Sequence, residues 1–173
     1  MRKLLMLFAA LCTFGALAAA QDDVDADAKY ATEMLKKGAK VPALVMNDPA
    51  GTSHDLQSFR GKYVVLDFWA SWCPDCRLDT PVMKQLYAQY ASDKIVFVGI
   101  SFDTEREKLV SYLEENDIRW LQLCDYRKKK ESTVGKDFQV KWIPSMYLID
   151  PKGRVVIGTV MIDKLAAELS KIK

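Results

Sequence analysis

The chain has 173 residues, half of them hydrophobic and 28% charged, with 25 Lys+Arg against 23 Asp+Glu and a formal net charge of +2. A balance this close gives no reason to expect nucleic acid or an acidic membrane surface as partner. The length fits one domain with a substantial hydrophobic core.

Residues 1–20 read as an export leader. Arg2 and Lys3 form its charged start, residues 4–17 its apolar stretch, and Ala18-Ala19-Ala20 a small-residue cleavage site before Gln21. The apolar run is short for a membrane span. Cys12 lies inside it, but Leu11 stands where a lipid-attachment signal carries a small residue, so Cys12 is expected to leave with the leader. Losing Arg2 and Lys3 brings the two charge counts level. Export implies a compartment in which disulfides persist. Cys73, Cys76 and Cys124 then remain, an odd number that needs an account.

Residues 21–40 carry Asp22, Asp23, Asp25 and Asp27 among alanines and few apolar positions. They read as a flexible N-terminal arm with room for a short helix over 28–37. The domain proper spans 41–173. Residues 43–46 and the stretch around Thr52 suit two short strands joined by the turn-rich Asn47-Asp48-Pro49-Ala50-Gly51. Residues 56–60 suit one helical turn ended by Gly61. His54, the only histidine, sits in this polar turn and is expected to be solvated.

Residues 63–70 are an apolar run rich in β-branched and aromatic side chains, which predicts a buried strand. Trp72-Cys73-Pro74-Asp75-Cys76 follows, and after it helical spacing to about residue 92, with Leu78, Val82, Leu86 and Tyr90 on one face. Pro74 suits the first helical position, where its missing N–H costs nothing. Cys73 then lies beside unpaired helix N-terminal N–H groups, which favour a thiolate. Cys76 lies one turn further in, close enough to close a small disulfide. A structural disulfide and half of a zinc site are the bland readings. A bridge this short constrains little of the unfolded chain, and one histidine with no second Cys-x-x-Cys falls short of a tetrahedral ligand set. Strand, Cys-x-x-Cys and helix together point to redox chemistry.

Residues 94–102 predict a second buried strand, and Asp103 or Thr104 a cap for a helix to about Asn116, with Leu109, Tyr112 and Leu113 inward. Residues 119–123 suit a short strand that ends beside Cys124, a thiol expected to pack as a small apolar group, with a regulatory thiol as the sharper alternative. Arg127-Lys128-Lys129-Lys130 reads first as a solvated charge run and second as a partner patch. Residues 132–138 suit a short helix. Pro144 opens an apolar strand, Asp150-Pro151-Lys152-Gly153 turns it into a hairpin partner over 154–161, and residues 162–172 form an amphipathic closing helix. Strands alternating with helices, then a hairpin and a last helix, predict an α/β fold with a mixed sheet.

The stretch from Asp67 to Cys76, taken with Ile143-Pro144, resembles the thioredoxin fold and most closely the exported TlpA/ResA-like thiol–disulfide oxidoreductases. The resemblance covers about residues 41–173, including an N-terminal strand pair and a helix-plus-strand insertion near 104–127. It implies that Cys73 attacks, Cys76 resolves, Pro144 is a cis-proline packed against the disulfide, and Trp72, Ile143 and Pro144 line the groove for the substrate. It implies Asp67 as a buried carboxylate, and Asp67 or Asp79 as acceptor of the proton that Cys76 must lose. The plainer reading of Asp79 is a solvated first-turn carboxylate. Two features depart from the family. Proline follows the first cysteine while Asp75 precedes the second, and Asp79 stands where Glu is usual. Residues between the cysteines tune the potential, so direction and potential cannot be borrowed from a relative.

The implied function is reduction of disulfides in exported proteins in the periplasm or envelope. It uses no metal or other cofactor. The expected partners are cysteine-bearing exported proteins and a membrane-linked electron donor, without nucleic acid, and the chain is expected to be a monomer. Three alternatives compete. A thiol peroxidase on the same fold needs Thr-x-x-Cys at this position. A copper carrier needs a histidine near Pro144, whereas His54 falls before the motif. A DsbA-type oxidase carries a large helical insertion and usually a histidine where Asp75 stands.

Overall fold

A computed structural model describes residues 25–172; the leader reading and Cys12 lie outside them. A central five-stranded mixed sheet runs β5-β4-β3-β6-β7. Its strands are β3 (Tyr63–Trp69), β4 (Ile95–Ser101), β5 (Leu121–Cys124), β6 (Ser145–Ile149) and β7 (Val155–Thr159). β3 pairs in parallel with β4, and β4 with β5, while β6 is antiparallel to both β3 and β7. The hairpin β1 (Val45–Asn47) and β2 (Ser53–Asp55) forms a separate two-stranded sheet. The helices are α1 (Ala26–Tyr30), α2 (Pro74–Tyr90), α3 (Arg106–Glu115), α4 (Thr133–Asp137) and α5 (Ile162–Leu169), and one 3₁₀ turn covers Leu56–Phe59. This is the predicted thioredoxin-like α/β fold, with the strand pair and the helix-strand insertion (α3, β5) in place.

The sheet separates two hydrophobic clusters. Leu66 and Phe68 of β3 pack with Ile100, Val134 and Phe138, on the side of α4. Val65 packs with Met83, Leu86, Met146, Leu165 and Leu169, on the side of α2 and α5. Side chains alternate along a strand, so Asp67 shares a face with Val65 and lies under α2. β3 is flanked by paired strands on both edges, with Asp67 opposite Gly99 and Met146, at the centre of the sheet.

Four expectations change. The inward line of α2 is Cys76, Thr80 and Met83, with Leu86, while Leu78 is 75% exposed. Cys76 must face the sheet, and a residue two positions on then points away from it. Asp103 does not cap α3, whose N-cap is Glu105. It is buried and accepts hydrogen bonds from the Ser71 backbone N–H at 3.0 Å and from the Ser101 hydroxyl at 2.6 Å. His54 is half-buried and paired with Asp48 at 2.9 Å instead of solvated. The closing helix stops at Leu169, with Ser170 as its C-cap.

The described part of the arm, expected to be loose, is packed. Ala31 and Met34 are buried in the core. The Leu35 N–H donates to the Tyr147 hydroxyl at 3.0 Å, and that hydroxyl donates to the Phe138 carbonyl at 2.6 Å. The Asp27 carboxylate accepts from the Thr159 hydroxyl and the Val160 N–H, both at 2.8 Å, and from the Lys164 ammonium at 2.8 Å. A sparse apolar pattern did not reveal these anchors, because their partners lie more than a hundred residues away. Asp27→Ala strands the Val160 N–H and should cost about 1–2 kcal/mol. Amide exchange should accelerate over residues 25–40 while β3 and β4 stay protected; unchanged protection in the arm would count against this anchor.

Candidate active site: a cysteine pair facing a cis-proline

Cys73 and Cys76 are joined by a disulfide, with 5.3 Å between their Cα atoms. Cys73 is the N-cap of α2, Pro74 is its first residue, and the Cys73 sulfur accepts from the Cys76 N–H at 3.2 Å. That contact, with the helix dipole, favours a thiolate on Cys73 once the bridge opens. Opposite, the Ile143 carbonyl oxygen lies 3.7 Å from the Cys73 sulfur. A bridged sulfur carries no proton, so this contact becomes a hydrogen bond only in the thiol form. The Ile143–Pro144 peptide is cis. Both cysteines, Ile143 and Pro144 are buried, whereas Trp72 is 58% exposed.

Neighbouring interactions hold the junction. Asp103 ties the loop after β3 to the end of β4 through Ser71 and Ser101. Trp69, the last residue of β3, donates its indole N–H to the Gln122 side chain at 2.9 Å. Gly99 lies between them, and a Cβ there would collide with the Gln122 carboxamide. Thr80 donates to the Cys76 carbonyl at 3.0 Å, just before Pro81 interrupts the helical ladder.

Asp67 and Asp79 meet beneath the disulfide. Both line a cavity of about 10 Å³, with Cys76, Thr80 and Pro144 on its wall. That volume is at the threshold for a single water. Asp67 is part-buried between the fully buried Leu66 and Phe68 of β3. Among the described residues no group donates a hydrogen bond to its carboxyl. Burial pushes its pKa up to about 7, and the nearby Asp79 adds to the rise. Asp79 is half-buried, and its pKa is pushed up to about 6, first by burial and then by the charges of Asp163 and Asp75. It is therefore not the solvated carboxylate of the plainer reading. Asp75 itself is exposed.

Cys124 is a buried free thiol. Its sulfur donates to the Asp103 carbonyl at 3.3 Å and accepts from the Tyr126 N–H at 3.3 Å, and burial pushes its pKa up to about 11. A thiol held this way is poorly suited to attack. Two residues at the site were not anticipated. Trp142 stays 42% exposed beside the cis-proline, and Tyr30 of the arm stacks on it with ring centroids 4.6 Å apart. Trp142 directly precedes Ile143-Pro144, but its exposure and its distant partner leave no mark in local sequence.

A dithiol that opens and closes opposite a cis-proline, with a buried acid below, defines a site for thiol–disulfide exchange. Comparison with known proteins agrees. A family profile described as thioredoxin-like matches residues 61–155. The chain is 28% identical over 143 residues to the thiol–disulfide oxidoreductase ResA of Bacillus cereus, covering 81% of this chain and 80% of that one. It is 31% identical over 122 residues to the thioredoxin-like protein YneN of Bacillus subtilis, covering 69% and 68%. The thioredoxin domain of a thiol–disulfide oxidoreductase from Bacteroides vulgatus superposes with a TM-score of 0.71 at 30% identity, over 79% of this chain and 97% of that one. The chain belongs to the thioredoxin-like family, among its TlpA/ResA-like thiol–disulfide oxidoreductases.

The raised pKa of Asp67 has a consequence for stability. The unfolded chain releases this proton near pH 3.8 and the folded chain near pH 7. Between those values the folded state holds the extra proton, so wild-type stability falls as pH rises through this window and the full penalty stands above pH 7. Asp67→Asn removes it. The oxidised variant should be more stable than wild type by about 2–4 kcal/mol at pH 8 and nearly equal at pH 4. Guanidinium titrations at the two pH values check this; a gap that does not grow with pH would contradict the raised pKa.

Proposed function

We propose that the protein reduces disulfides in cysteine-bearing exported proteins. Cavity-linked Asp67 is the observation that carries the direction: a proton acceptor beside Cys76 serves the step in which Cys76 must become a thiolate. The leader reading of residues 1–20 supports an envelope location. Among the described residues no helix is long and apolar enough to cross a membrane.

In this reading the Cys73 thiolate attacks one sulfur of the substrate disulfide. The substrate S–S bond breaks, a mixed disulfide forms, and the other substrate sulfur leaves as a thiolate that takes up a proton. Asp67, directly or through one water in the cavity, accepts the Cys76 proton. The Cys76 thiolate attacks Cys73, the mixed disulfide breaks, and the second substrate sulfur leaves. The substrate gains two electrons and the protein returns to the bridged state seen here, to be re-reduced by a membrane-linked donor. Asp79, the second acid on the cavity wall, supports Asp67: its negative charge helps keep the Asp67 pKa near neutrality. Trp72 presents an apolar face to the incoming chain, and the backbone at Ile143-Pro144 presents polar groups to it. The protein acts as a monomer.

Cys76→Ser should trap the mixed disulfide with a peptide disulfide substrate, visible by mass spectrometry. Asp67→Asn should slow resolution about a hundredfold, the scale of a lost general base, while the first attack is unchanged. In wild type the resolution rate should rise through an inflection near pH 7, where Asp67 loses its proton, and the variant should lack it. An unchanged resolution rate in Asp67→Asn would remove the residue from the mechanism.

A further inference from the structure

A cleft of about 460 Å³ opens beside the cis-proline loop. Lys129, Lys130, Lys136 and Lys141 line it, with Glu33 the single acid on its wall. Only Lys129 and Lys130 belong to the basic run visible in the sequence. Lys136 comes from α4 and Lys141 from the loop that enters Trp142-Ile143-Pro144, so the cluster is assembled by the tertiary fold.

The lysines are poorly neutralised. Lys141 lies 3.4 Å from the Glu33 carboxylate, but both side chains are well exposed, and such a pair is worth little. Among the described residues no carboxylate lies within 4.0 Å of the other three ammonium groups. Lys129 is also drawn inward: its ammonium donates to the Lys141 carbonyl at 2.6 Å. Its pKa is lowered, by burial first and then by the charge of Lys141. A solvated charge run would show neither feature. Like charges gathered in one cleft repel, and a bound anionic group relieves that repulsion.

Position supplies the occupant. Lys141 is two residues from Ile143, whose carbonyl faces Cys73 at 3.7 Å, so chain geometry holds the two backbone positions within about 7 Å. A polypeptide whose cysteine reaches Cys73 therefore brings the residues next to that cysteine close to the loop that carries Lys141. We propose that the cleft of Lys129, Lys130, Lys136 and Lys141 docks acidic side chains flanking the reactive cysteine of a protein substrate. The cleft thereby selects substrates by local negative charge. This deepens the proposed reductase function and rests on it. Electrostatic complementarity of this kind acts mainly on encounter rate and is screened by salt.

The test uses two disulfide peptides of equal length that differ only in flanking residues, Asp and Glu in one, Ser and Asn in the other. Lys130 and Lys136 are exposed, so Lys130→Gln with Lys136→Gln should leave the fold intact, checked by thermal melting. At low ionic strength wild type should favour the acidic peptide, and the double variant should lose about tenfold in kcat/KM on it. The neutral peptide should change less than twofold, and high salt should abolish the difference. Equal kcat/KM for both peptides in wild type would overturn the docking site while leaving the reductase function standing. If neither peptide is turned over, the reductase reading fails, and calorimetric titration with serine-for-cysteine versions of the peptides still decides the cleft. Binding of the acidic version that the double variant loses supports docking. Absent binding, or binding of inorganic phosphate without binding of the acidic peptide, overturns it.

Discussion

The Cys73 sulfur sits at the helix N-terminus with the Cys76 N–H on one side and the Ile143 carbonyl on the other, and the fold is arranged to keep it there. Neither contact is available from one element alone. The N–H requires that α2 begin at Pro74, and the carbonyl requires that β6 arrive antiparallel beside β3 so that the loop before it reaches back over the helix start. The two contacts act in opposite senses. An amide donor stabilises a thiolate, whereas a carbonyl oxygen stabilises a thiol. The protonation state of Cys73 therefore follows from the balance between them.

The same arrangement explains why an acid can be buried under the cysteines. Asp67 occupies the centre of the sheet, where a hydrophobic residue would pack more cheaply. It stands on the α2 face because β3 alternates, and it meets Cys76 because the helix runs directly over it. Desolvation moves its titration into the neutral range. Asp163 on α5 raises the proton affinity of Asp79, and Asp79 raises that of Asp67. In contrast, Cys124 is buried with both its hydrogen-bonding roles filled, which explains the odd cysteine as a packing residue.

Around the reactive pair the surface is not uniform. Trp72 and the Tyr30–Trp142 stack offer apolar faces, while the lysine cleft offers charge. The arm contributes Tyr30 to one and Glu33 to the other, so the segment before the domain belongs structurally to the site. Its anchors, Asp27 on β7 and Leu35 on Tyr147, hold it there.

What local sequence determined was whatever depends on a few consecutive residues. The strand before Cys73, the helix opened by Pro74, the turns at Gly61 and Gly153, and the strand after Pro144 all follow from hydrophobic runs and from residues with restricted or unusual backbone freedom. The cysteine pair and the buried Asp67 were legible for the same reason, since an acid inside an apolar strand and a Cys-x-x-Cys at a helix start are local anomalies. Tertiary structure alone decided which face of α2 turns inward, since Cys76 overrides the apolar line through Leu78. It alone paired Asp103 with Ser71 and not with the helix after it, fastened an arm of low apolar content, and gathered four lysines from separate segments into one cleft. Each of these joins residues far apart in the chain, and pairwise contacts across such separations have no periodicity from which to read them.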